Sequence, residues 1–76
     1  MGAITLHRID PARNMRRVYR LDVQPDLFGG FLLMKAWGRI GVSGQIKVEW
    51  YDSEALAAAA LVKQAARKQR RGYSEL

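Results

Sequence analysis

The stretch RRVYRLDVQPDLFGGFLLMKAWGRI, residues 16–40, decides the fold, because it predicts two strands joined by a tight reversal. Its first part, Arg16–Val23, alternates with period two and places Tyr19, Leu21 and Val23 on one face of a half-buried strand. The QPDLFGG segment that follows combines proline, aspartate and paired glycines, which is typical of a chain reversal. The next strand is therefore expected to be antiparallel to the first.

The second strand of this pair, Phe31–Ile40, separates into one wholly apolar set of alternate residues and one mixed set. The apolar set is Leu32, Met34, Ala36, Gly38 and Ile40, and the mixed set is Phe31, Leu33, Lys35, Trp37 and Arg39. We expect the apolar set to face the core and the mixed set to face away from it. After the reversal GVSG, the strand Gln45–Asp52 places Trp50 on one face with Ile46 and Val48, which predicts Trp50 to be the core tryptophan.

A further strand and a helix complete the predicted fold. Ala3–Asp10 alternates as a strand and ends at the proline turn DPARN. From Ser53 to about Arg71 the chain is rich in alanine without glycine or proline, which predicts a helix capped by Asp52 or Ser53 and stopped by Gly72. Its apolar face is expected to contain Ala55, Ala58, Leu61, Val62, Ala65 and Ala66. We predict a single domain over residues 1–76 of the α+β class, a small antiparallel β-sheet of about four strands with the C-terminal helix packed on one face.

Composition narrows the class of partner. Thirteen Lys and Arg against seven Asp and Glu give a net charge of +6 and a pI near 10.3, which favours an anionic partner and nucleic acid in particular. Because there is no cysteine and only one histidine, we predict no disulfide, no metal site and no cofactor. No leader-like segment and no apolar run of about 18 residues is present, so we expect a cytoplasmic protein without a membrane partner.

The residues that could carry catalysis are few. His7 is isolated, and the seven acidic residues are scattered over turns and element ends without a paired spacing. The glycine-rich GRIGVSG is neither a P-loop nor a dinucleotide fingerprint, because no Gly-Lys-Ser/Thr and no helix follows it. We therefore predict no enzyme activity and no small-molecule substrate.

Lys35, Trp37 and Arg39 have the spacing that a nucleic-acid-binding strand needs. Alternate side chains on a strand lie roughly 7 Å apart, so two cations flank one aromatic ring on the same face. The alternative is that Trp37 packs against a loop while Arg39 extends into solvent.

Two further clusters of cations accompany this strand. The helix contributes Lys63, Arg67, Arg70 and Arg71, joined by Lys68, and the first turn and following strand contribute Arg13, Arg16, Arg17 and Arg20. Each cluster either contacts phosphates or is a solvated surface, the helix cations being also favoured by the dipole at its C-terminus.

The WGR triplet at Trp37, Gly38 and Arg39, followed by glycines at 41 and 44, resembles the WGR domain family found in poly(ADP-ribose) polymerases and in small bacterial proteins. The resemblance extends over the upstream Asn14, Tyr19 and Leu21, the FGGF turn, the strand IKVEWYDS and the helix end KQRRGY. It implies that Trp37 and Arg39 contact nucleic acid at a strand break, with the tryptophan against a terminal sugar. It also implies a DNA contact for Lys68, five residues before Tyr73.

Together these features predict a nucleic-acid-binding module, with DNA as the expected ligand, that recognises ends, nicks or single strands. The predicted binding residues are Trp37, Gly38, Arg39, Lys35, Lys68, Lys63, Arg67, Arg70, Arg71 and Arg17. The alternative is a protein-interaction module that docks an acidic partner or a DNA-processing enzyme through the same basic surface.

Overall fold

A computed structural model describes residues 2–75 as a five-stranded antiparallel sheet with one helix on one face, which confirms the α+β class. The elements are β1 (Ala3–Asp10), a single 3₁₀ turn (Pro11–Arg13), β2 (Met15–Pro25), β3 (Phe31–Arg39), β4 (Gln45–Tyr51), α1 (Glu54–Arg70) and β5 (Ser74–Glu75). The strand order is β4-β3-β2-β1-β5, and all neighbours are antiparallel. The short β5, which pairs with β1, adds a strand to the four that were predicted.

The β2–β3 hairpin fixes which side chains reach the core. Pro25 pairs with Phe31 at the reversal, and this register places Val23 opposite Leu33 and Tyr19 opposite Trp37. Residues directly opposite in an antiparallel pair share a face. Tyr19, Leu21 and Val23 are buried, as the alternation of β2 predicted, so their partners on β3 also face the helix.

The prediction of which face of β3 is covered was therefore wrong. Leu33 is completely buried, and Phe31 and Trp37 pack against the same core, whereas Leu32 and Met34 lie on the face without a helix. Alternation correctly groups Lys35, Trp37 and Arg39 on one face, but that face is the one that α1 partly covers. β2 decides the matter, because its other face carries Arg20 and Asp22, which would not tolerate burial under a helix.

The prediction of which face of β4 is covered was wrong in the same way. Ile46, Val48 and Trp50 lie on the open face, and the Trp50 side chain is 53% exposed, so Trp50 is not a core tryptophan. Its indole lies over Gly30, and Nε1 donates a hydrogen bond to the Gly29 carbonyl oxygen at 3.2 Å. The ring therefore covers the β2–β3 reversal from the open face.

α1 begins and ends as predicted but presents a different face to the sheet. The Ser53 hydroxyl accepts a hydrogen bond from the Leu56 amide, and Gly72 takes the left-handed conformation that stops the helix. The most buried helical residues are Ala57 and Ala65, while Val62 is 63% exposed.

The observed helix face differs from the expected one by a rotation about its axis. Ala60 and Leu61 pack beside the two buried alanines, whereas Ala55 and Ala58, expected on the buried face, are exposed. The hydrophobic stripe is made mostly of alanine, so it is a weak guide to orientation, and the larger core residues of the sheet set the rotation. As a result Lys68 lies on the sheet side of α1.

The core is small and lies between α1 and the middle of the sheet. Leu6, Leu21, Val23 and Leu33 are its largest fully buried side chains. Above them α1 presents alanines, which allow the helix to lie close to the strands. Within residues 2–75, no helix has the length and apolarity needed to cross a membrane.

Candidate nucleic-acid interface

A groove opens on the helix-bearing face of the sheet, beyond the C-terminal end of α1. It encloses about 560 Å³ and is lined by Arg13, Asn14, Met15, Arg16, Arg17, Tyr19, Trp37, Gly38, Arg39, Lys68 and Tyr73. Within residues 2–75, four arginines and one lysine take part, and no acidic side chain lines the groove. The surface is therefore cationic with an aromatic floor.

Trp37 forms that floor together with its cross-strand partner. The rings of Trp37 and Tyr19 are stacked, with centroids 5.8 Å apart and planes inclined by 15°. Tyr73 meets Tyr19 edge to face at 6.2 Å, and Gln64 Nε2 donates a hydrogen bond to the Tyr19 hydroxyl at 3.0 Å. Because Tyr19 is held by α1 and the tail beyond it, the indole of Trp37 is held in one orientation at the groove.

Arg39 is positioned by the turn that precedes β2. One terminal guanidinium nitrogen donates to the Asn14 carbonyl oxygen at 3.1 Å, and the other contacts Asn14 Oδ1 at 3.4 Å. Asn14 has φ of +51°, a left-handed conformation that asparagine tolerates better than most residues. The guanidinium remains exposed and keeps donors for an incoming phosphate.

Lys68 extends from the last turn of α1 over the same aromatic group. Its Nζ lies 4.5 Å from the centroid of the Tyr19 ring and 5.8 Å from that of Tyr73. Burial lowers the pKa of Lys68 below its ordinary value of 10.5, and repulsion by Arg71, Arg67, Arg17 and Lys35 lowers this pKa further. The folded chain thus holds an ammonium group among like charges.

Gly38 in β3 and Gly44, the residue before β4, allow direct contact between the two backbones. A Cβ added to Gly44 would collide with the Trp37 carbonyl oxygen, and one added to Gly38 would lie 2.8 Å from the Gly44 Cα. Both positions therefore require glycine for space. The glycine of the triplet shapes the groove through its backbone and adds no side chain to it.

Nine of the ten predicted binding residues fall into two groups. Trp37, Gly38, Arg39, Arg17 and Lys68 all line the groove. Lys63, Arg67, Arg70 and Arg71 lie on the exposed side or end of α1, outside the lining.

Lys35 belongs to neither group. Its ammonium pairs with Glu49 Oε1 at 3.1 Å, and the side chain is only 14% exposed. The carboxylate thus neutralises a cation that was expected to meet a phosphate. This pairing lowers the pKa of Glu49, against the opposing effect of burial, and Tyr51 adds a hydrogen bond to Glu49 Oε1 at 3.1 Å.

Several lining residues were not among those predicted to bind. Asn14 and Met15 lie beside Arg39, and Tyr19 and Tyr73 support Trp37 and Lys68. Pairing β2 with β3 by counting outward from the reversal would have placed Tyr19 against Trp37. Nothing in the sequence pattern indicated that Asn14 would hold Arg39. Among residues 2–75, no group of three or more His, Asp or Glu side chains is arranged to bind a metal ion.

Comparison with known proteins indicates the same family as the Trp37-Gly38-Arg39 triplet at the groove. The family model described as the WGR domain matches residues 2–76. The chain is 40% identical over 68 residues to a protein of Sinorhizobium fredii (strain NBRC 101917 / NGR234) that bears the name uncharacterized protein y4dW. The match covers 90% of this chain and 33% of that protein, so the chain spans about a third of its relative's length. No solved structure gives a significant match.

Proposed function

Because the chain belongs to the WGR domain family, we propose that it is a non-enzymatic nucleic-acid-binding module that recognises DNA ends, nicks or single strands. The WGR domain is of the nucleic-acid-binding type in poly(ADP-ribose) polymerases and is not a catalytic domain. Whatever further activity a longer relative has lies outside this proposal, since the match covers a third of the Sinorhizobium protein.

One observation carries the proposal: the part of the groove formed by residues 2–75 combines a fixed indole with five cations and no acidic side chain. Exposed basic residues are ordinarily interspersed with acids, and burial of an ammonium among like charges costs free energy. A bound phosphate would offset that repulsion. The lowered pKa of Lys68 therefore supports an anionic ligand at this position.

The groove suggests a division of roles. Arg39 and Arg17 pair across β2 and β3, two residues along the strands from Trp37 and Tyr19, and their guanidinium groups can neutralise phosphates. Lys68 lies over the Tyr19 ring that stacks on Trp37, and adds a third cation beside the aromatic pair. Trp37 offers its ring to a sugar or a base. A stacked terminal or unpaired nucleotide suits this floor, because a base within a continuous duplex does not expose its face.

Arg39→Gln tests the proposal with little risk to the fold. Arg39 is exposed, and among the described residues its side chain donates hydrogen bonds to Asn14 alone, so the variant should melt close to the wild type. It should bind nicked or single-stranded DNA about tenfold more weakly, the loss expected of one charge-assisted contact. The measurement is fluorescence anisotropy with blunt, nicked, intact circular and single-stranded DNA and with RNA, at low and moderate salt.

Lys63→Gln is the matched control, because it removes the same single charge from the exposed side of α1 outside the groove. It should reduce affinity much less than Arg39→Gln. Equal losses in the two variants would mean that net charge alone attracts the ligand, and that the groove is not its site. Undiminished binding by a folded Arg39→Gln would also contradict the proposal.

A further inference from the structure

The outer edge of β4 is a second surface with a specific pattern of side chains. β4 is the last strand on its side of the sheet, and α1 packs mainly on β2 and β3. Among residues 2–75, the backbone hydrogen bonds outside regular elements leave β4 untouched. Its outward N–H and C=O groups are thus available to another strand.

The side chains of β4 that flank Val48 carry opposite charges, so the strand is complementary in charge to a second copy of itself. In the sequence QIKVEWY, a lysine precedes Val48 and a glutamate follows it. Within one chain Glu49 Oε1 pairs with Lys35, and its other oxygen, Oε2, lies 3.9 Å from the ammonium of the exposed Lys47. If a second copy of β4 pairs antiparallel with Val48 opposite Val48, each Lys47 lies opposite Glu49 of the other copy. Opposite charges in directly opposed positions stabilise an antiparallel pair, and like charges destabilise it.

The neighbouring registers that keep each face aligned are unfavourable. A shift that centres the pair on Lys47 places the two lysines opposite each other, and a shift to Glu49 opposes the two carboxylates. Charges on an edge strand usually prevent pairing between molecules. Here the same two charges select one register and oppose its neighbours.

The open face provides apolar contacts in the same register. Pairing about Val48 places Ile46 of each copy opposite Trp50 of the other, and Val48 opposite Val48. These side chains are 68%, 53% and 50% exposed, respectively, in the single chain. Aromatic and β-branched pairs of this kind are favourable across antiparallel strands. The apolar residues that the helix does not cover would thus cover one another in part.

We propose that a second copy of this chain docks on β4, so that the two sheets join antiparallel about Val48 into one continuous sheet of ten strands. The two-fold axis is perpendicular to the sheet, because that operation pairs identical strands antiparallel and keeps their faces aligned. Both helices, and both grooves, then lie on the same face. With strands about 4.8 Å apart and a rise of about 3.3 Å per residue, the two Trp37 Cα atoms are roughly 25 Å apart.

Charge exchange between two variants tests the register. Wild-type protein should show a monomer–dimer equilibrium by sedimentation without nucleic acid. Lys47→Glu and Glu49→Lys should each weaken dimerisation by about tenfold or more, because each variant replaces two attractive pairs with two repulsive ones. An equimolar mixture of the two variants restores opposite charges at both positions, so a heterodimer should form where neither variant dimerises alone.

Concentration-dependent protection of β4 amides from hydrogen exchange in the wild type provides a readout that needs no variant. Wild-type protein that stays monomeric up to millimolar concentration would overturn the proposal. So would a dimer that both variants form as tightly as the wild type, or variants that fold, dissociate and fail to associate when mixed.

Discussion

Lys68 is the residue at which stability and the proposed function oppose each other. Its ammonium lies over Tyr19, and its pKa is lowered by burial first and then by the surrounding arginines. Helix periodicity alone grouped this residue with the exposed cations. Only the rotation of α1, set by the sheet core, brings its side chain over the aromatic floor, so the sequence pattern identified the residue without its environment.

Lys68→Met should separate these two effects. Methionine retains an apolar chain that can pack on Tyr19 and removes the repelled charge, so the melting temperature at neutral pH should be equal to or above that of the wild type, while DNA affinity falls about tenfold or more. Because the folded pKa of Lys68 lies below 10.5, the unfolded chain binds the proton more tightly, and the charge penalty is fully present below the folded pKa. The penalty decreases once the pH exceeds the folded pKa and is gone above 10.5, so any stability advantage of the variant should shrink as the pH rises toward that value. Thermal melts at several pH values measure it, and a variant that is less stable at neutral pH would contradict the charge penalty.

At the scale of elements, β2 and β3 show what alternation can and cannot determine. Alternation correctly predicted that Tyr19, Leu21 and Val23 share a buried face. It does not tell which face of β3 is covered, and the wholly apolar set containing Leu32 and Met34 suggested the wrong one. The register across the β2–β3 reversal, which ties Leu33 to Val23, resolves the ambiguity.

Adjacent leucines provide a direct test of this assignment. Leu33→Ala should destabilise the fold by about 2–5 kcal/mol, because it leaves a cavity among fully buried side chains. Leu32→Ala removes the same atoms from the open face and should cost less than half as much. Urea unfolding of both variants measures the difference, and equal losses would mean that the open face is covered as well.

The contact between β3 and β4 should depend on pH. The hydrogen bond and charge of Lys35 lower the pKa of Glu49 below its ordinary value of 4.5, so the stabilisation is fully present above that value and is lost as pH falls through the folded pKa. Wild-type stability should fall on acidification through this range. In Glu49→Gln, part of that fall should be missing, as measured by urea unfolding at a series of pH values. Parallel curves for the two proteins would show that Glu49 contributes nothing through its charge.

For the whole molecule, composition indicated an anionic partner, but it did not predict which residues form the groove. The net charge of +6 is shared by the groove, the outer side of α1 and β2. The cations that meet at the groove are determined by the position at which α1 ends over the sheet and by the return of the chain at Gly72. Both are tertiary features. Five of the ten residues predicted to bind line the groove, because the strand triplet is local in sequence and the helix cations are not all on one side.

The salt dependence of binding reports on the whole cationic surface. If about five phosphates are neutralised, log K should fall with log[salt] with a slope of about −4. Dimerisation through β4 should instead become stronger as salt is added from low ionic strength, because salt screens the repulsion between two molecules of charge +6. Anisotropy and sedimentation over the same salt series distinguish the two processes. A flat binding curve would remove the electrostatic basis of the proposed function.

The length of α1 fixes the position of Lys68 relative to the sheet. Its start is fixed by Ser53 and its buried alanines are fixed by the core, so the number of residues between them and Lys68 determines where the ammonium is placed. A single inserted residue in this interval would turn all later side chains by about 100° and advance them by about 1.5 Å. Substitution by other small residues leaves that count unchanged, whereas a change of length does not. Among related chains, α1 should therefore vary in composition and keep its length, and insertions should occur instead at the exposed β2–β3 reversal around Phe28.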